Sequence, residues 1–536
     1  MAPPLSPETR EATLAALPAE RLDLLVVGGG ITGAGIARDA ALRGLSVALV
    51  ERTDFAAGTS SRSSKLIHGG VRYLEQGDVA LVRESAAERQ VLRSLAPHLT
   101  VPLRMVMPTY GRTMHAKLAV GLWTFEKIAS VPADERHAMW NRDETLRHEP
   151  TLDGSHIFGA ATFTEYLTDD ARLVLATVKG AHAAGARCLN HVAVTALEPG
   201  ATATVVRLRD ALGGGTYEVS ARVVVNAAGP WVDEVRALAG AHGGARLHLT
   251  KGIHLVVPHD RLPVRHAVVM QTRDRRSAFA VPRDGATYIG TTDTDHGPPV
   301  DHPEVTAEDA EYLLDAAHRC FTGRPLALAD VTGTWAGLRP LLHEEGKRPS
   351  EISRKDEIMV DAASGLVSIA GGKLTTYRRM AERVVDLVCA RLGHRTPCQT
   401  DSVPLPGGER PPEDVARGLP PLPAGAGERL VRLYGAEAQS IVARGERGTV
   451  PGLPTVLRAE VAHNIDQELA LTLEDLLERR TRLLLFDPHQ GLDGVEAVAS
   501  MVASRLGWTP ARTAAEVDGY RALAASLRIT GTGGKP

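Results

Sequence analysis

Three passages of the chain combine a continuous apolar run, a glycine-rich turn and a helical pattern. The first reads LDLLVVGGG, ITGAGIARDAALRGL and SVALVE, which predicts a strand from Leu22 to Val27, a helix and a second buried strand. Strands that are apolar throughout are typical of parallel sheets covered on both faces. ARVVVNAAGPWVDEV and GLVSIAGGKLTTYRRMAERVVDLV repeat the pattern later. The passages predict a domain built on a βαβ unit.

The remaining patterns predict two further parts. HLTKGIHLVVP, SAFAVP and ATYIGTTDT are strand-like and suit an antiparallel sheet, and DVALVRESAAERQVLRSLAPHL predicts an amphipathic helix that ends near Pro97. VPLPGGERPPEDVARGLPPLPAGAG is rich in proline and glycine, which is typical of a linker. AEVAHNIDQELALTLEDLLERRTRLLLF follows with helical patterns. We therefore expect a helical domain at the C-terminal end of this sequence.

A dinucleotide-binding fingerprint lies between the first strand and its helix. The glycines of GxGxxG permit a tight turn and let backbone N–H groups approach a pyrophosphate at the helix N-terminus. An acidic residue closes the next strand, where it can accept hydrogen bonds from a ribose. The spacing alone does not separate NAD from FAD. The predicted site comprises Gly28, Gly30, Ile31, Thr32, Gly33 and Glu51.

Features elsewhere in the chain favour FAD. The sequence has one complete fingerprint, and glycine-rich turns recur near residues 229 and 371. The turn in SIAGGKLTTY places Gly371 and Gly372 at a helix N-terminus, which can stabilise negative charge on the N1–C2=O2 side of a reduced flavin. A plain strand-to-helix turn is the alternative. For Thr375 and Thr376, helix capping and a hydrogen bond to flavin or substrate both remain open.

Composition narrows the function classes. A chain of 536 residues suggests two or more domains, and a net charge of -3 gives no support for nucleic-acid binding. The four cysteines lack CxxC spacing, so we expect neither a disulfide framework nor a metal site. The first residues do not resemble a signal peptide, and no uncharged apolar run reaches the roughly 18 residues of a membrane span. We expect a cytoplasmic protein, with peripheral attachment to the inner face of the cell membrane left open.

Eight segments in the same order resemble the FAD-dependent sn-glycerol-3-phosphate dehydrogenases, which belong to the glycine-oxidase/D-amino-acid-oxidase type of flavoprotein. They are VVGGGITGAGIARDAALRGLSVALVE, GTSSRSSKLIHGGVRYLE, VVNAAGPW, KGIHLVVP, GTTDT, GLRPLL, ISRKDEI and GGKLTTYR, within about residues 21 to 385. TLEDLLERRTRL resembles the C-terminal domain of that family. The resemblance implies FAD and oxidation of sn-glycerol 3-phosphate to dihydroxyacetone phosphate. Hydride would pass from substrate C2 to flavin N5, and the electrons to a membrane quinone. Whether the protein forms a homodimer is left open.

The predicted fold class is α/β (α+β), with a Rossmann-like FAD-binding domain interleaved with an antiparallel-sheet substrate domain and followed by a C-terminal helical domain. The FAD-binding domain is predicted at residues 21–97, 156–250 and 335–390. The substrate-binding or cap domain is predicted at residues 98–155 and 251–334, and the helical domain at 400–536.

The resemblance also implies roles for individual residues. Further cofactor contacts are expected at Ser60, Ser61, Lys65, Leu66, Gly229, Gly371, Gly372, Leu374 and Thr375. The substrate phosphate is expected to meet Arg72, Tyr73, Arg339, Arg354 and Lys373, because guanidinium and ammonium groups are the usual partners of phosphate. Each of these cations, taken alone, would more often be a solvated surface charge, but several that match the family together are better explained by an anion site.

The proton acceptor for the C2 hydroxyl is left open between two histidines. His254 lies on an apolar strand and could simply be a core histidine, whereas His68 could hold the flavin. Arg339 could instead polarise the hydroxyl.

Three alternative functions are an oxidase that reduces O2, an amine oxidase and a flavin- or NAD-binding regulator without turnover. No extra mid-chain insertion of the oxidase type is evident, and the predicted cations argue against an amine oxidase. In LLERRTRLLLF, Arg479, Arg480 and Arg482 could meet an anionic membrane or belong to a helix packed on its own domain.

Overall fold

A computed structural model describes residues 3–70, 78–240, 247–342 and 356–529. Three predicted substrate residues, Arg72, Tyr73 and Arg354, lie outside these ranges. The strands are β1 (Arg21–Val27), β2 (Val47–Val50), β3 (Leu66–Ile67), β4 (Val101–Thr109), β5 (Ala138–Asn141), β6 (Gly159–Leu167), β7 (Arg187–Leu189), β8 (Val192–Pro199), β9 (Thr204–Asp210), β10 (Thr216–Asn226), β11 (Leu247–Pro258), β12 (Ala267–Gln271), β13 (Ser277–Arg283), β14 (Ala286–Gly290), β15 (Thr294–Asp295), β16 (Gly333–Leu342), β17 (Glu357–Val360), β18 (Val367–Ala370), β19 (Thr449–Val450) and β20 (Leu453–Leu457).

Helices connect and cover these strands. They are α1 (Pro7–Ala16), α2 (Ile31–Leu42), α3 (Val79–Leu95), α4 (Arg112–Ala129), α5 (Arg142–His148), α6 (Asp170–Ala183), α7 (Val232–Leu238), α8 (Ala307–Cys320), α9 (Tyr377–Leu392), α10 (Pro412–Arg417), α11 (Ala426–Tyr434), α12 (Glu437–Ala443), α13 (Arg458–Glu468), α14 (Leu483–Phe486), α15 (Val495–Leu506) and α16 (Pro510–Ser526). A π-helical turn spans Asp475–Arg480.

The first sheet is the predicted nucleotide-binding sheet. Its order is β17-β18-β10-β1-β2-β7, with β9 paired to β10 and β8 paired to β9. The strands from β18 to β7 are parallel, as their apolar runs predicted. Helix α2 packs against α6 and α9 over this sheet. Ala34, Ala37 and Ala40 on α2 are fully buried, and their small side chains let the three helices approach closely.

The second sheet is mostly antiparallel and carries the predicted strands β11, β13 and β14. Its order is β15-β11-β14-β13-β12-β4-β6-β3, with β16 on β11 and β5 on β6. Helix α8 covers one face through an apolar cluster that includes Leu313 and Leu314. The other face buries Tyr288 and Trp335 against Phe486 of the C-terminal part.

The two sheets divide the chain differently from the predicted domain boundaries. Strands β6 and β16, predicted in the FAD-binding segments, belong to the second sheet. Leu167 of β6 is opposite Val101 of β4, and Arg339 of β16 is opposite Thr250 of β11. An apolar strand does not reveal its distant pairing partner, so these boundaries could not be placed from local patterns.

The C-terminal part is helical, as predicted. Helices α13, α15 and α16 surround an apolar cluster that includes Val461, Val498 and Tyr520. The predicted linker contains the short helix α10. The described helices include none that is long and apolar enough to cross a membrane.

The arginines of LLERRTRLLLF are buried inside the protein rather than at its surface. Arg479 Nε and Arg480 Nη2 donate to Asp54 at 2.6 and 2.8 Å, and Arg482 Nε donates to Asp169 at 3.1 Å. The three residues are 1%, 0% and 3% exposed. The membrane interpretation of this segment is therefore wrong, because internal carboxylates neutralise the three cations.

His98, between α3 and β4, is buried at the contact with the C-terminal part. A Cβ atom at Gly435 would lie 2.7 Å from His98 Nδ1, so the backbone of that part approaches the ring closely. Burial, together with the charges of Arg172 and Lys179, lowers the pKa of His98 to about 3. The folded protein therefore keeps this ring neutral across the physiological range.

This burial predicts a loss of stability on acidification. The unfolded chain takes up a proton near the usual histidine pKa of about 6.5, whereas folded His98 does not. Lowering the pH from 7 to 5 should therefore reduce the unfolding free energy by about 2 kcal/mol. His98→Gln should reduce the drop in unfolding free energy between pH 7 and 5 by about that amount. Urea unfolding followed by circular dichroism measures it. Exposed His156 provides the control, since His156→Gln should retain the full drop. An undiminished drop in His98→Gln would contradict the assignment.

Candidate functional site

A cavity of about 560 Å³ opens at the carboxyl ends of the parallel strands. Residues just beyond β1, β2, β10 and β18 all contribute to its wall, namely Gly28, Glu51, Gly229 and Gly371. In open α/β sheets, ligands bind in the crevice at this edge. Strand β16 of the second sheet closes the cavity from the opposite side through Leu338 and neighbouring residues.

The glycine fingerprint forms a cradle that larger residues could not occupy. Gly28 has a φ of +110°, and a Cβ atom there would lie 2.6 Å from Ala227 O. A Cβ atom at Gly33 would lie 1.9 Å from Gly28 O. A larger residue at this position would therefore prevent α2 from packing against the turn. Gly30 precedes α2 and supplies no side-chain cap. The N-terminus of α2 therefore lies at the cavity with no side chain on its cap residue, which suits the approach of a pyrophosphate.

Glu51 is fixed at the edge of this cradle. Its Oε2 atom accepts a hydrogen bond from Gly29 N–H at 2.7 Å, and its Oε1 atom accepts one from Thr53 N–H at 2.9 Å. Ser60 joins the loop to α2, because Ile31 N–H donates to Ser60 Oγ at 3.0 Å. The carboxylate position fits recognition of a ribose.

The turn after β18 lies in the same wall. Gly371 and Gly372 have φ values of 78° and 82°, and Lys373 and Leu374 follow them along the cavity. Thr376, the residue before α9, makes no side-chain cap, so capping by this residue is not observed. Thr375 Oγ1 instead donates to His68 O at 3.4 Å. This bond links the turn to the loop at 58–70.

The structure brings most of the predicted cofactor residues together in one wall. The predicted residues that line the cavity are Gly28, Gly30, Ile31, Thr32, Glu51, Ser60, Gly229, Gly371, Gly372 and Leu374. The predicted residues outside its lining are Gly33, Ser61, Lys65, Leu66 and Thr375. Gly33 acts through the cradle, and cofactor contact by each of the fifteen predicted residues stays a prediction.

Lys65 lies in a buried ion cluster rather than in the wall. Its Nζ atom donates to Ser61 O at 2.8 Å and to Asp170 Oδ1 at 3.0 Å. It also lies 4.7 Å from the ring centroid of Trp335. Burial is the main cause that lowers the pKa of Lys65 to about 7, against the opposing charge of Asp170. This lysine therefore stabilises the loop at 58–70 through buried contacts rather than by lining the cavity.

His254 is buried between the second sheet and the same loop. Its ring stacks on Trp335 with a centroid distance of 4.6 Å, and its Nε2 atom lies 2.9 Å from Ser64 Oγ. Burial and the positive charges of Lys65 and Arg339 hold the pKa of His254 well below its usual range. The imidazole is therefore neutral at physiological pH.

The other predicted catalytic residues lie on facing elements. Arg339 on β16 is oriented by two acceptors, with Nη1 donating to Asp293 Oδ1 and Nη2 to Thr291 Oγ1, both at 3.0 Å. Its side chain is 21% exposed, between the cavity-lining residues Leu338 and Pro340. His68 is half-buried, with its ring centroid 6.0 Å from that of Phe279.

Trp231 is a wall residue that sequence reasoning missed. Its indole Nε1 is buried without a hydrogen-bond partner in the described part of the chain, and Arg52 lies over its ring at 4.4 Å. A Cβ atom at Gly58 would lie 2.9 Å from the ring, so the loop passes close to it. The available signal was VVNAAGPW, where only the glycine was assigned. A buried donor in the wall, the glycine cradle and the Glu51 carboxylate together fit a dinucleotide such as FAD.

Comparison with known proteins agrees with this geometry. A family model described as FAD dependent oxidoreductase matches residues 23–378, and one described as the C-terminal domain of alpha-glycerophosphate oxidase matches residues 398–513. Aerobic glycerol-3-phosphate dehydrogenase of Bacillus subtilis (strain 168) is 40% identical over 525 residues, which cover 93% of this chain and 94% of the relative. The Staphylococcus aureus (strain USA300) protein of that name is 39% identical over 522 residues, with 93% of each chain covered.

Solved structures show the same fold. The glycerol-3-phosphate dehydrogenase from Bacillus halodurans complexed with FAD superposes with a TM-score of 0.83 at 35% identity, covering 99% of this chain and 100% of that one. L-alpha-glycerophosphate oxidase from Mycoplasma pneumoniae shares the fold with a TM-score of 0.58 at 19% identity, over 72% of this chain and 99% of that one. The predicted cofactor, FAD, and the predicted family are confirmed. The chain belongs to the FAD-dependent oxidoreductase family, within which it groups with the aerobic glycerol-3-phosphate dehydrogenases.

Proposed function

We propose that this protein oxidises sn-glycerol 3-phosphate to dihydroxyacetone phosphate and passes the electrons to a membrane quinone. The observation that carries the proposal is the shared cavity, in which the glycine cradle, Lys373 and the strand that bears Arg339 meet. The near full-length match to aerobic glycerol-3-phosphate dehydrogenases supports the choice of substrate.

FAD, when bound, supplies a two-electron acceptor for the alcohol carbon. The cradle around Gly28, Gly30 and Ile31 would hold it, while Glu51 would receive the ribose. Gly371 and Gly372 let the turn before α9 approach closely without side chains in the way. Residues of β16 line the cavity opposite the cradle and would limit the access of water to bound FAD.

Cations from separate elements would bind the substrate phosphate. Lys373 comes from the turn after β18, and Arg339 reaches from β16. Asp293 and Thr291 fix the guanidinium plane of Arg339, which favours one substrate orientation. Arg72, Tyr73 and Arg354 stay predicted phosphate contacts.

His254 and His68 stay the candidates for proton acceptor. His254 is already in the neutral form that a base requires, and its lowered pKa makes it a weaker base than an ordinary histidine. Its hydrogen bond with Ser64 positions it against the loop. Arg339 would stabilise charge that develops on the C2 oxygen.

The electron acceptor and the cell location complete the proposal. A quinone acceptor implies peripheral contact with the inner face of the cell membrane. The absence of an oxidase-type insertion in the sequence favours this acceptor over O2. A homodimer remains compatible with the proposal.

Turnover assays test this function. The purified protein should reduce an artificial dye and a soluble quinone analogue with sn-glycerol 3-phosphate, and peroxide formed in air should be a small fraction of that turnover. Stoichiometric peroxide would favour the oxidase alternative. Failure to oxidise sn-glycerol 3-phosphate, with turnover of an amine instead, would contradict the proposed function.

Cofactor binding should depend on the cradle. Gly33→Ala places a methyl group against Gly28 O, so the variant should purify with little FAD. Gly519→Ala is the control, since a Cβ atom there meets nothing within 4 Å. Absorbance of the purified proteins measures the flavin content.

Acid precipitation of the wild type should leave the flavin in solution, because none of the four cysteines lines the described cavity. Full flavin content in Gly33→Ala, or colour retained in the acid pellet, would refute this arrangement.

Phosphate recognition should depend on Arg339. A charge-assisted hydrogen bond contributes about 1.5–3 kcal/mol, so Arg339→Ala should lower kcat/KM for sn-glycerol 3-phosphate by about 10- to 100-fold. Arg339→Lys should also lose activity, because the fork to Asp293 and Thr291 disappears. Flavin content should stay near that of the wild type.

Steady-state kinetics on sn-glycerol 3-phosphate and on glycerol measure this effect. Arg319→Ala is a matched control on the exposed face of α8, where the arginine pairs with Asp315 at 2.9 Å. Equal losses on both substrates in Arg339→Ala would show that the anion site lies elsewhere.

A further inference from the structure

Two glycines face each other across β11 and β16 of the second sheet. Gly252 of β11 is directly opposite Gly337 of β16, and both residues are buried. Neither glycine has a positive φ, so the backbone geometry would admit any residue at either position. Glycine weakens the interior of a strand and often marks the close approach of another group. The reason for this glycine pair therefore lies in what rests on the sheet.

The guanidinium group of Arg339 rests on Gly252. Arg339 follows Gly337 by two residues on β16, so the alternation of a strand places its side chain on the face of the glycine pair. A Cβ atom at Gly252 would lie 2.6 Å from Arg339 Cζ and 2.7 Å from Thr291 Oγ1. The hydrogen bonds that Arg339 donates to Asp293 and Thr291 hold the guanidinium in this position.

The loop at 58–70 rests on the other glycine. A Cβ atom at Gly337 would lie 2.6 Å from Arg62 O, which belongs to the backbone of the loop. The loop is also tied to the next residue of the strand, because Thr59 Oγ1 donates to Leu338 O at 2.6 Å. Arg62, Gly337 and Leu338 all line the cavity. The glycine pair thus supports a wall of the cofactor cavity and the neighbouring cation on one face of the sheet.

We propose that Gly252 and Gly337 are positioning residues for the oxidation of the substrate. Gly252 lets the guanidinium of Arg339 lie close against the sheet, and Gly337 lets the cofactor loop settle on the same face. Together they set how far the cation lies from that loop. The inference rests on the proposed function, in which Arg339 binds the substrate phosphate.

A methyl group at residue 252 would displace the guanidinium. Carbon atoms in non-bonded contact are about 3.5–4.0 Å apart at their optimum, so Arg339 Cζ would have to move by about 1 Å. The guanidinium ends a flexible side chain, so the sheet can still form while the cation leaves Asp293 and Thr291. A misplacement of about 1 Å can lower a catalytic rate by roughly 100-fold.

A methyl group at residue 337 would act on different atoms. It would meet the backbone of the cofactor loop, which cannot swing aside as a side chain does. Moving this backbone would also move Ser60 and Ser63, which line the cavity, and would strain the bond from Thr59 to Leu338. Gly337→Ala should therefore act on the retention of FAD, and Gly252→Ala on the recognition of phosphate.

Steady-state kinetics of the holoenzyme test the role of Gly252. Gly252→Ala should keep the flavin content of the wild type and lower kcat/KM for sn-glycerol 3-phosphate by about 10- to 100-fold. Its kcat/KM for glycerol, which lacks the phosphate, should change much less. The double variant Gly252→Ala/Arg339→Ala should be no worse than Arg339→Ala, because both changes remove the same interaction. A general disturbance of the sheet would instead add its own loss.

Gly333→Ala is the matched control on the same strand. A Cβ atom at Gly333 would have its nearest neighbours at Gln490 and Leu485, both 3.9 Å away, which is an ordinary contact distance. This variant should retain the flavin content and the kcat/KM of the wild type.

Binding measurements separate the two glycines without turnover. In isothermal titration calorimetry, inorganic phosphate should bind Gly252→Ala about 10-fold more weakly than the wild type, as expected for one lost charge-assisted hydrogen bond. Ultrafiltration should show FAD leaving Gly337→Ala about 3- to 10-fold faster than the wild type, as expected for one lost neutral hydrogen bond. Gly252→Ala should release FAD at the rate of the wild type.

Four outcomes would overturn the inference. They are a wild type that binds inorganic phosphate no more tightly than Gly252→Ala, a double variant that loses clearly more than Arg339→Ala, FAD release from Gly337→Ala at the wild-type rate, and a Gly252→Ala chain that does not fold. Failure of the proposed function would look different. The wild type would then not oxidise sn-glycerol 3-phosphate, while calorimetry and FAD release would still separate the two glycine variants from it.

Discussion

One buried carboxylate, that of Asp170, holds the loop at 58–70 in place. Ser63 donates to its Oδ2 atom from N–H at 3.1 Å and from Oγ at 2.8 Å. Lys65 Nζ and Arg482 Nη2 donate to its Oδ1 atom at 3.0 and 3.1 Å. Asp170 is fully buried at the start of α6. Without it, buried Lys65 would lose its carboxylate partner and Arg482 would keep only Asp169, and breaking a buried pair of this kind typically costs about 3–5 kcal/mol.

This contact explains why three parts of the chain act as one site. Arg482 comes from the C-terminal part, Asp170 from α6 and Lys65 from the loop. The second sheet holds the same loop from its other side, since Trp335 Nε1 donates to Ser63 O at 3.1 Å and Tyr288 OH donates to Ser64 O at 2.9 Å. Ser60 and Ser63 of this loop line the cavity. The cofactor wall is therefore preorganised by surrounding elements, which is what a precise site requires.

Local signals predicted the cofactor wall, because its chemistry is carried by short motifs. Gly28 adopts a φ of +110° and Gly33 lies against Gly28 O, both within one turn, and Glu51 closes the next strand. Buried carboxylates far along the chain determine the burial of Lys65 and the inward direction of Arg479, Arg480 and Arg482. No local pattern reveals such partners. The pairing of strands β6 and β16 in the second sheet could not be predicted either, because it too depends on distant parts of the chain. Phosphate contact by Arg72, Tyr73 and Arg354 stays a prediction from the family resemblance.

The proposed function depends on a cavity that would place FAD beside a phosphate-bearing alcohol. Anaerobic titration of the purified holoenzyme with sn-glycerol 3-phosphate tests this most directly, with the visible flavin absorbance as the readout. The flavin should be bleached with one substrate molecule per FAD, and glycerol or an amine at the same concentration should leave it oxidised. Flavin that stays oxidised with sn-glycerol 3-phosphate, or that bleaches equally with glycerol, would contradict it.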